Sequence, residues 1–467
     1  MHAQFKELLR GARRVGFFGL GASNLSLLSI LPEGTSVTLR ADGEIKIPSL
    51  PSGVTLSAIY EGARAAENIT EEILFLSPSV RRDRPMLLFA EANGTRLLSD
   101  SELFFESANA PVLAVSGSSG KSTTAYLAAA LINGSEESYP SPKAKSCSQA
   151  KKGAVLCGNI GRPMFSSISE GAKAYVTELS SFMLMNHKAT VARGAITNIS
   201  ENHLDWHGSM EEYAEAKLSL LRLSNEIIIN ADDERLSGFV GRSRRVFGVF
   251  STRLTLPELL RRHKAHIYMT LEGGSICRNG EQIINTGRLV RREEYNIANM
   301  MCASLLASGY GDAERVESVL SSFSGLPHRC EVVLKRDGIT YINSSIDTTP
   351  TRTAKTLSAI GDNVILLLGG RDKGLPLTPI VSAARGKVKQ VFTFGESGEK
   401  IAKTLSPELA ACYSGNFRSA VLAACEMAKP NDTVILSPSG TSYDEFSSFE
   451  ERGESFCKLL SELYGSP

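Results

Sequence analysis

Short apolar, β-branched runs alternate with stretches of helical periodicity along the whole chain. Strands and helices in turn build α/β architecture with largely parallel sheets. The runs fall into three series. The first holds RVGFFGLG (14–21), SVTLRAD (36–42) and EILFLSP (72–78). The second begins at PVLAVSG (111–117) and continues through KAYVTELS (173–180), RGAITNIS (193–200) and NEIIINADD (225–233). The third follows SGLPHRCEVV (324–333) with GITYINSS, DNVILLLGG, VKQVFTFG and DTVILSPSG. Three series predict three sheets in three domains, 1–108, 109–324 and 325–467, with ESANAP and SSFSGLPHR as linkers. Segment 134–153, GSEESYPSPKAKSCSQAKKG, is polar and rich in Pro and Ser, and reads as a surface loop. In every series unusual polar residues follow a strand's last apolar residue. Open α/β sheets bind ligands at those carboxyl ends, so the three domains are expected to share one cleft.

Composition narrows the class. At 467 residues the chain exceeds one ordinary core, in line with several domains. Hydrophobic residues at 42% and charged residues at 22% are ordinary for a soluble globular protein. A net charge of +1 provides no broad basic field, which argues against nucleic acid as a partner. The eight cysteines are scattered, without a C-x-x-C pair or a metal spacing, and read as reduced thiols. The start, MHAQFKELLRGARR, has no apolar signal region, and no apolar run reaches the ~20 residues of a membrane helix. A cytoplasmic protein without membrane insertion is expected.

Chemistry enters at VLAVSGSSGKSTTAYL (112–127). A strand breaks into small residues, meets a lysine and continues as a helix, which is how a chain grips a phosphate. Val115 stands where the usual pattern has its first glycine. Residues Ser116 to Ser122 supply successive N–H groups, Lys121 can reach terminal phosphates, and the Ser122 hydroxyl suits Mg²⁺. The bland alternative is a plain Gly/Ser turn. The next strands end in TELSSF, with Glu178 directly after AYVT, and in TNISENHLDWH, with His203 beside Asp205 and His207. Hard oxygens and an imidazole suit Mg²⁺, although a strand-end glutamate is usually solvated and a loop histidine usually a surface residue. Ser209 and Glu212 make a capping box for the following helix. On its apolar stripe of Met210, Tyr213, Leu220 and Leu221 sits Lys217. Either this lysine snorkels, or its amine is desolvated, falls in pKa and can add carbon dioxide to become a carbamate ligand for a second Mg²⁺.

GSSGKST, GNIG (158–161), ELSSF (178–182), NISENHLD (198–205), EEYAEAK (211–217), YNIAN (295–299) and GLPHRCE (325–331) occur in one order. In that order the chain resembles the Mur ligases, ATP-dependent amide ligases of peptidoglycan precursor synthesis. The resemblance runs from Gly19 nearly to the C-terminus. It implies a Rossmann-like first domain, a central P-loop-type ATPase domain and a Rossmann-like α/β third domain. GLG, LSPS, LGGRDKG (368–374) and LSPSGTSYDEFSSFEERGESF (436–456) look like the branch that adds D-glutamate to UDP-N-acetylmuramoyl-L-alanine. The Asp-Asn-Pro-Arg motif of the diaminopimelate-adding relatives is missing. In the family's short phosphate loop Gly117 is the first glycine, and Ser118 replaces a threonine.

By resemblance, Gly117, Ser118, Ser119, Gly120, Lys121, Ser122, Thr123, Asn299 and Arg329 bind ATP. Ser122, Glu178, His203 and a carbamylated Lys217 hold two Mg²⁺. Lys121, Glu178, His203 and Lys217 form the catalytic set. Asn159 and His203 face the UDP-sugar, with Ala22, Ser23, Arg40, Ser77 and Ser79 as uridine or diphosphate candidates at the first domain's strand ends. Gly19 and Gly21 make a G-x-G, but Asn24 replaces the third glycine of a dinucleotide fingerprint, which disfavours NAD. Thr348, Lys373, Ser442 and Phe449 are the D-glutamate candidates, with Ser442 read as the N-cap of the helix YDEFSSFEERGESF and Phe446 as core. The substrates implied are small molecules and the protein a monomer.

Departures mark where the family pattern weakens. In YINSSIDTTPTRTAKTL, Ser344 and Ile346 replace an aspartate and a lysine of the family motif, with Asp347 and Arg352 as conjectural compensation. Met183 and Asn202 replace a glutamine and an aspartate without removing a ligand. Two rivals follow. One is a folylpolyglutamate synthase-like ligase, opposed by the separate first domain. The other is a catalytically weak nucleotide-binding paralogue, opposed by the intact metal set.

Overall fold

The computed structural model describes residues 5, 7–9, 11–134, 153–160, 162–240, 245–372 and 374–465. Segment 135–152, most of the predicted surface loop, lies outside them. The described chain parts into two compact units, one up to Phe323 and one from Ser324.

The first unit holds two sheets. The amino-terminal sheet comprises β1 (Arg14–Phe18), β2 (Ser36–Ala41), β3 (Thr55–Glu61), β4 (Ile73–Leu76) and β5 (Arg96–Leu98) in the order β3-β2-β1-β4-β5, all parallel. Central strands buried on both faces read as continuous apolar runs, as ILFL of β4 does. Edge strand β3 instead alternates half-buried and exposed positions. The chain winds to one side from β1 and then to the other through β4, so the β1–β4 crevice is a topological switch point.

The second sheet contains β6 (Val112–Ser116), β7 (Ala154–Gly158), β8 (Ala174–Glu178), β9 (Val191–Ile196), β10 (Ser224–Asn230), β11 (Val246–Ser251), β12 (Ile267–Glu272), β13 (Ser275–Arg278) and β14 (Glu281–Asn285). Their order is β14-β13-β12-β11-β10-β9-β6-β8-β7, with β13 and β14 antiparallel at one edge. β6 lies between β8 and β9, so the three strands that end in or lead directly into polar residues are neighbours. One hydrophobic core crosses from the first sheet to the second. Phe5 packs on Phe75 (5.9 Å) and Phe165 (5.7 Å), and Phe104 meets Tyr175 edge-on (5.1 Å). The buried Asp100 carboxylate adds to this seam by accepting the N–H groups of Met164 (2.9 Å) and Phe165 (3.2 Å).

The second unit is a six-stranded sheet: β15 (Glu331–Arg336), β16 (Ile339–Asn343), β17 (Val364–Gly369), β18 (Val388–Phe394), β19 (Ala411–Tyr413) and β20 (Thr433–Ser439). The order is β15-β16-β20-β17-β18-β19, with only β15 antiparallel. Apolar side chains cover both faces, and Phe446 joins the core through an edge-on contact with Phe417 (5.0 Å).

Candidate active site

The phosphate loop leaves β6 at Ser116 and enters the helix Lys121–Asn133 through Gly120. Gly117 (φ 150°) and Gly120 (φ 78°) hold backbone conformations that disfavour a side chain. A Cβ at Gly117 would collide with the Thr197 hydroxyl, and one at Gly120 with the Asn299 amide. The residues after β9 staple the loop from below. Ser118 N–H donates to the Asn198 carbonyl (2.9 Å), Ser119 N–H to Asn198 Oδ1 (3.0 Å), and Thr197 Oγ1 to the Ser119 carbonyl (2.5 Å). Ser118 Oγ donates to the Ser200 carbonyl and accepts the Ser200 N–H, both at 2.9 Å. Sequence reasoning passed over Thr197, Asn198 and Ser200 as individual residues, although their position past the last apolar residue of β9 was the available signal. Asn299 is buried against the loop, and Thr124 Oγ1 donates to its Oδ1 (3.5 Å). Lys121 Nζ bends over the loop, donating to the carbonyls of Gly117 (2.9 Å) and Ser118 (3.3 Å). Thr123 is half-buried in the first turn of the helix.

Behind the loop lies a carboxylate. Glu178, at the end of β8 and 1% exposed, accepts Ser122 Oγ on Oε2 (2.7 Å) and Asn159 Nδ2 on Oε1 (2.8 Å). β7, β8 and β6 thus bring Asn159, Glu178 and Ser122, which come from three separate motifs, together. Lys217 is 1% exposed. Its amine donates to the Gly117 carbonyl (2.8 Å) and Ser116 Oγ (3.4 Å), and lies over the Tyr213 ring (4.7 Å). Burial pushes its pKa down to about 7, helped by the Lys121 charge and opposed by Glu178. The snorkelling alternative fails, because the amine is inside. Ser209 caps this helix by accepting the Glu212 N–H (3.1 Å).

His203 follows β9 in a left-handed conformation (φ 54°), exposed, with its ring edge-on to Phe182 (5.0 Å). His207 is fully buried, shares a hydrogen bond with Ser181 Oγ (2.9 Å), and is held below the usual imidazole pKa by burial. Among the described residues no three His, Cys, Asp or Glu converge as a preformed metal cluster. The oxygens gathered here are one carboxylate and one hydroxyl beside a phosphate loop, which is the hard donor set Mg²⁺ prefers when phosphate supplies the remainder.

In the first sheet Gly19 (φ 80°) lets β1 and β4 meet, since a Cβ there would lie 2.7 Å from Ser77 Cβ. Ala22 and Ser23 open the helix Ala22–Leu28, and Ser77 and Ser79 follow β4, so these four surround the switch point. Asn24 fastens the turn, donating to the carbonyls of Phe18, Gly19 and Phe75 (3.2, 2.7 and 3.2 Å). Arg40 departs from the expectation of a uridine contact. It is 1% exposed, paired with Glu71 (2.8 Å), and donates to the carbonyls of Ala65, Glu67 and Asn68. Its guanidinium is a fastener of the sheet. The loop after β4 also docks on the second sheet: Trp206 Nε1 donates to the Ser79 carbonyl (2.9 Å), and Arg81 pairs with Glu212 (3.0 Å).

In the second unit, Arg329 is exposed between two left-handed residues, His328 (φ 60°) and Cys330 (φ 48°). Thr348 and Phe449 are half-buried, and Lys373 lies outside the described residues. Ser442 is buried in a loop whose carbonyl accepts Glu445 and Phe446 N–H groups, and it is not an N-cap. The helix starts seven residues later, at Phe449, capped by Ser448, whose hydroxyl accepts the Glu451 N–H (3.2 Å). The two conjectured compensators differ. Asp347 is buried, its Oδ2 accepting Ser344 (2.7 Å), Thr356 (2.7 Å) and Ser437 (2.9 Å) hydroxyls, so this carboxylate ties β16, β20 and a helix together. Arg352 is exposed and donates to the Ile346 carbonyl (3.2 Å).

Known proteins match this arrangement along its length. A family profile described as Mur ligase middle domain matches residues 115–307, and one described as Mur ligase, glutamate ligase domain matches residues 328–440. The UDP-N-acetylmuramoylalanine–D-glutamate ligase of Ruminiclostridium cellulolyticum is 32% identical, over 98% of both chains. The proteins of that name from Acetivibrio thermocellus (98% of each chain) and Clostridium perfringens (98% of this chain, 99% of its own) are each 31% identical. Among solved structures, the UDP-N-acetylmuramate-alanine ligase of Thermotoga maritima shares the fold, with a TM-score of 0.52 and 16% identity over 96% of this chain and 99% of its own.

Proposed function

The chain belongs to the Mur ligases, and we propose that it is an ATP-dependent ligase that adds D-glutamate to UDP-N-acetylmuramoyl-L-alanine in peptidoglycan precursor synthesis. The observation that carries the chemistry is the convergence of Lys121, Ser122, Glu178 and Lys217 around one Gly-rich loop. Full-length relatives that include the first sheet favour this branch over the folate ligases and over a nucleotide-binding paralogue.

The alanyl carboxylate attacks the γ-phosphorus of ATP, and ADP leaves. The acyl phosphate then meets the amine of D-glutamate, the amide C–N bond forms, and phosphate departs with one carboxylate oxygen. Little covalent work falls to the protein, which positions groups and neutralises charge. The N–H groups from Gly117 to Thr123 cradle the β- and γ-phosphates, Lys121 swings onto them, and Asn299 buttresses the loop while Arg329 serves the nucleotide. Ser122 and Glu178 would hold Mg²⁺, which neutralises phosphate charge when bound. His203 and a carbamylated Lys217 would hold a second ion. A lysine with pKa near 7 has the neutral amine that carbon dioxide requires.

Asn159 and His203 face the sugar end, and Ala22, Ser23, Ser77 and Ser79 hold the uridine diphosphate at the β1–β4 switch point. Thr348, Lys373, Ser442 and Phe449 take D-glutamate in the second unit. No helix among the described residues is long and apolar enough to cross a membrane, and we place the enzyme in the cytoplasm with its nucleotide substrates, as a monomer. The test is isotopic. Substrate labelled with ¹⁸O in the alanyl carboxylate should yield phosphate carrying one ¹⁸O per turnover. Unlabelled phosphate would exclude the acyl phosphate.

A further inference from the structure

A buried arginine in the second unit makes no direct ion pair among the described residues. Arg452 lies in the first turn of the helix Phe449–Tyr464 and is 0% exposed. Its Nε donates to Ser345 Oγ (3.0 Å), and one terminal nitrogen donates to the carbonyls of Ser345 (3.0 Å) and Gly440 (3.2 Å). The other terminal nitrogen, Nη1, is buried without a partner among the described residues. It abuts Gly370, where a Cβ would come within 3.0 Å. Asp444 and Glu445 act on it only through their charge, without a hydrogen bond to it, and each holds a backbone N–H instead. Asp444 accepts the Glu396 N–H (3.0 Å), and Glu445 accepts the Phe417 N–H with both oxygens (3.1 Å). Burial accordingly pulls this guanidinium down to about 10. A charge withdrawn from water without a carboxylate beside it is unfavourable and calls for a compensating function.

Its placement suggests what that function is. Ser345 follows β16, Gly440 follows β20 and Gly370 follows β17, three adjacent strands of the sheet. Arg452 therefore ties together the carboxyl ends where an open α/β sheet receives ligands. Ser345 Oγ also donates to the Phe449 carbonyl (2.8 Å), which brings the helix start into the same network. Thr348, Ser442 and Phe449 stand on the segments so joined.

We propose that Arg452 is the positioning residue of the amino-acid site, fixing its loops and supplying a positive charge that favours an amino acid with two carboxylates. The proposal rests on the reading that this unit holds D-glutamate. Because Arg452 is sealed inside, it acts through Ser345, Gly440 and the field it creates, without touching substrate.

The test compares Arg452→Lys, Arg452→Gln and Ser345→Ala with wild type in the full-length enzyme, measuring ADP release with each substrate varied, alongside thermal unfolding. Arg452→Lys, which keeps a positive charge and loses the guanidinium ties, should raise KM for D-glutamate by about tenfold, and Arg452→Gln, which removes the charge as well, should in addition lower the preference for D-glutamate over D-glutamine, with kcat and the other KM values within about twofold for both. Ser345→Ala, which keeps the charge and removes one tie, should raise the same KM by about threefold. If neither Arg452 variant folds, Ser345→Ala decides by the same criterion. Folded variants with unchanged KM for D-glutamate, or with all three KM values raised alike, would overturn the proposal. Wild-type enzyme that releases no ADP in response to D-glutamate would instead overturn the assignment of the reaction.

Discussion

Lys217 and Arg40 are both basic residues with 1% exposure, and their surroundings give them opposite meanings. Arg40 has a carboxylate at 2.8 Å and three carbonyls, so its charge is answered within the fold. Lys217 has two oxygens and an aromatic face, and burial lowers its pKa to about 7. Near pH 7 about half of such amines are neutral, against roughly four in ten thousand for an ordinary lysine. Lys217→Ala should cut turnover at least about a thousandfold and recover part of it with added short carboxylic acids, as measured by ADP release. No rescue at any concentration would count against the carbamate. Arg40→Met leaves Glu71 uncompensated in the interior and should cost about 3–5 kcal/mol in denaturant unfolding, without changing KM for the UDP-sugar in enzyme that remains folded. Sequence revealed the lysine because a capping box fixed the helix and its stripe fixed the face. It did not foresee the arginine's buried pairing because the carboxylate lies 31 residues away, and a strand-end arginine reads equally as a ligand.

At the scale of elements, the strands beside the phosphate loop were legible, since β6 and β8 stop at Ser116 and Glu178 and β9 ends at Ile196, just before Thr197. The antiparallel edge was missed despite a local signal. Asn279–Gly280, both at positive φ, turn β13 into β14, a dipeptide that favours two-residue hairpins. The helix start at Phe449 was not decided by spacing, because Ser442 and Glu445 have the same capping-box spacing as Ser448 and Glu451, and only the fold turns Glu445 to the Phe417 N–H. The seam between the first two sheets was not legible, because it depends on Asp100 meeting Met164 and Phe165 across 64 and 65 residues. Burial raises Asp100 from 3.8 to about 6. The folded state therefore binds more protons than the unfolded state in that window. This contribution to stability is present below 3.8 and lost as pH rises through about 6. Wild type measured against Asp100→Asn in denaturant should lose up to about 3 kcal/mol of relative stability across the window. A pH-independent difference would contradict this assignment.

On the scale of the whole molecule, three sheets were predicted and three are present, while the compact units number two because the first two sheets share a core. A periodicity of apolar positions shows that a face is buried and leaves open which other face covers it. The division of labour we propose follows the carboxyl ends of the sheets, with the β1–β4 switch point for the uridine diphosphate, the β6 loop for ATP, and β16, β20 and β17 for the amino acid. Ser344 and Ile346 stand where the family motif has an aspartate and a lysine, and the neighbouring Asp347 is engaged by three hydroxyls inside the fold. The most direct measurement is ADP release from Mg-ATP and UDP-N-acetylmuramoyl-L-alanine, with D-glutamate, L-glutamate, L-lysine and meso-diaminopimelate added in turn. Release that depends on D-glutamate alone is the predicted result. No release with any of the four, while ATP still binds, would contradict it.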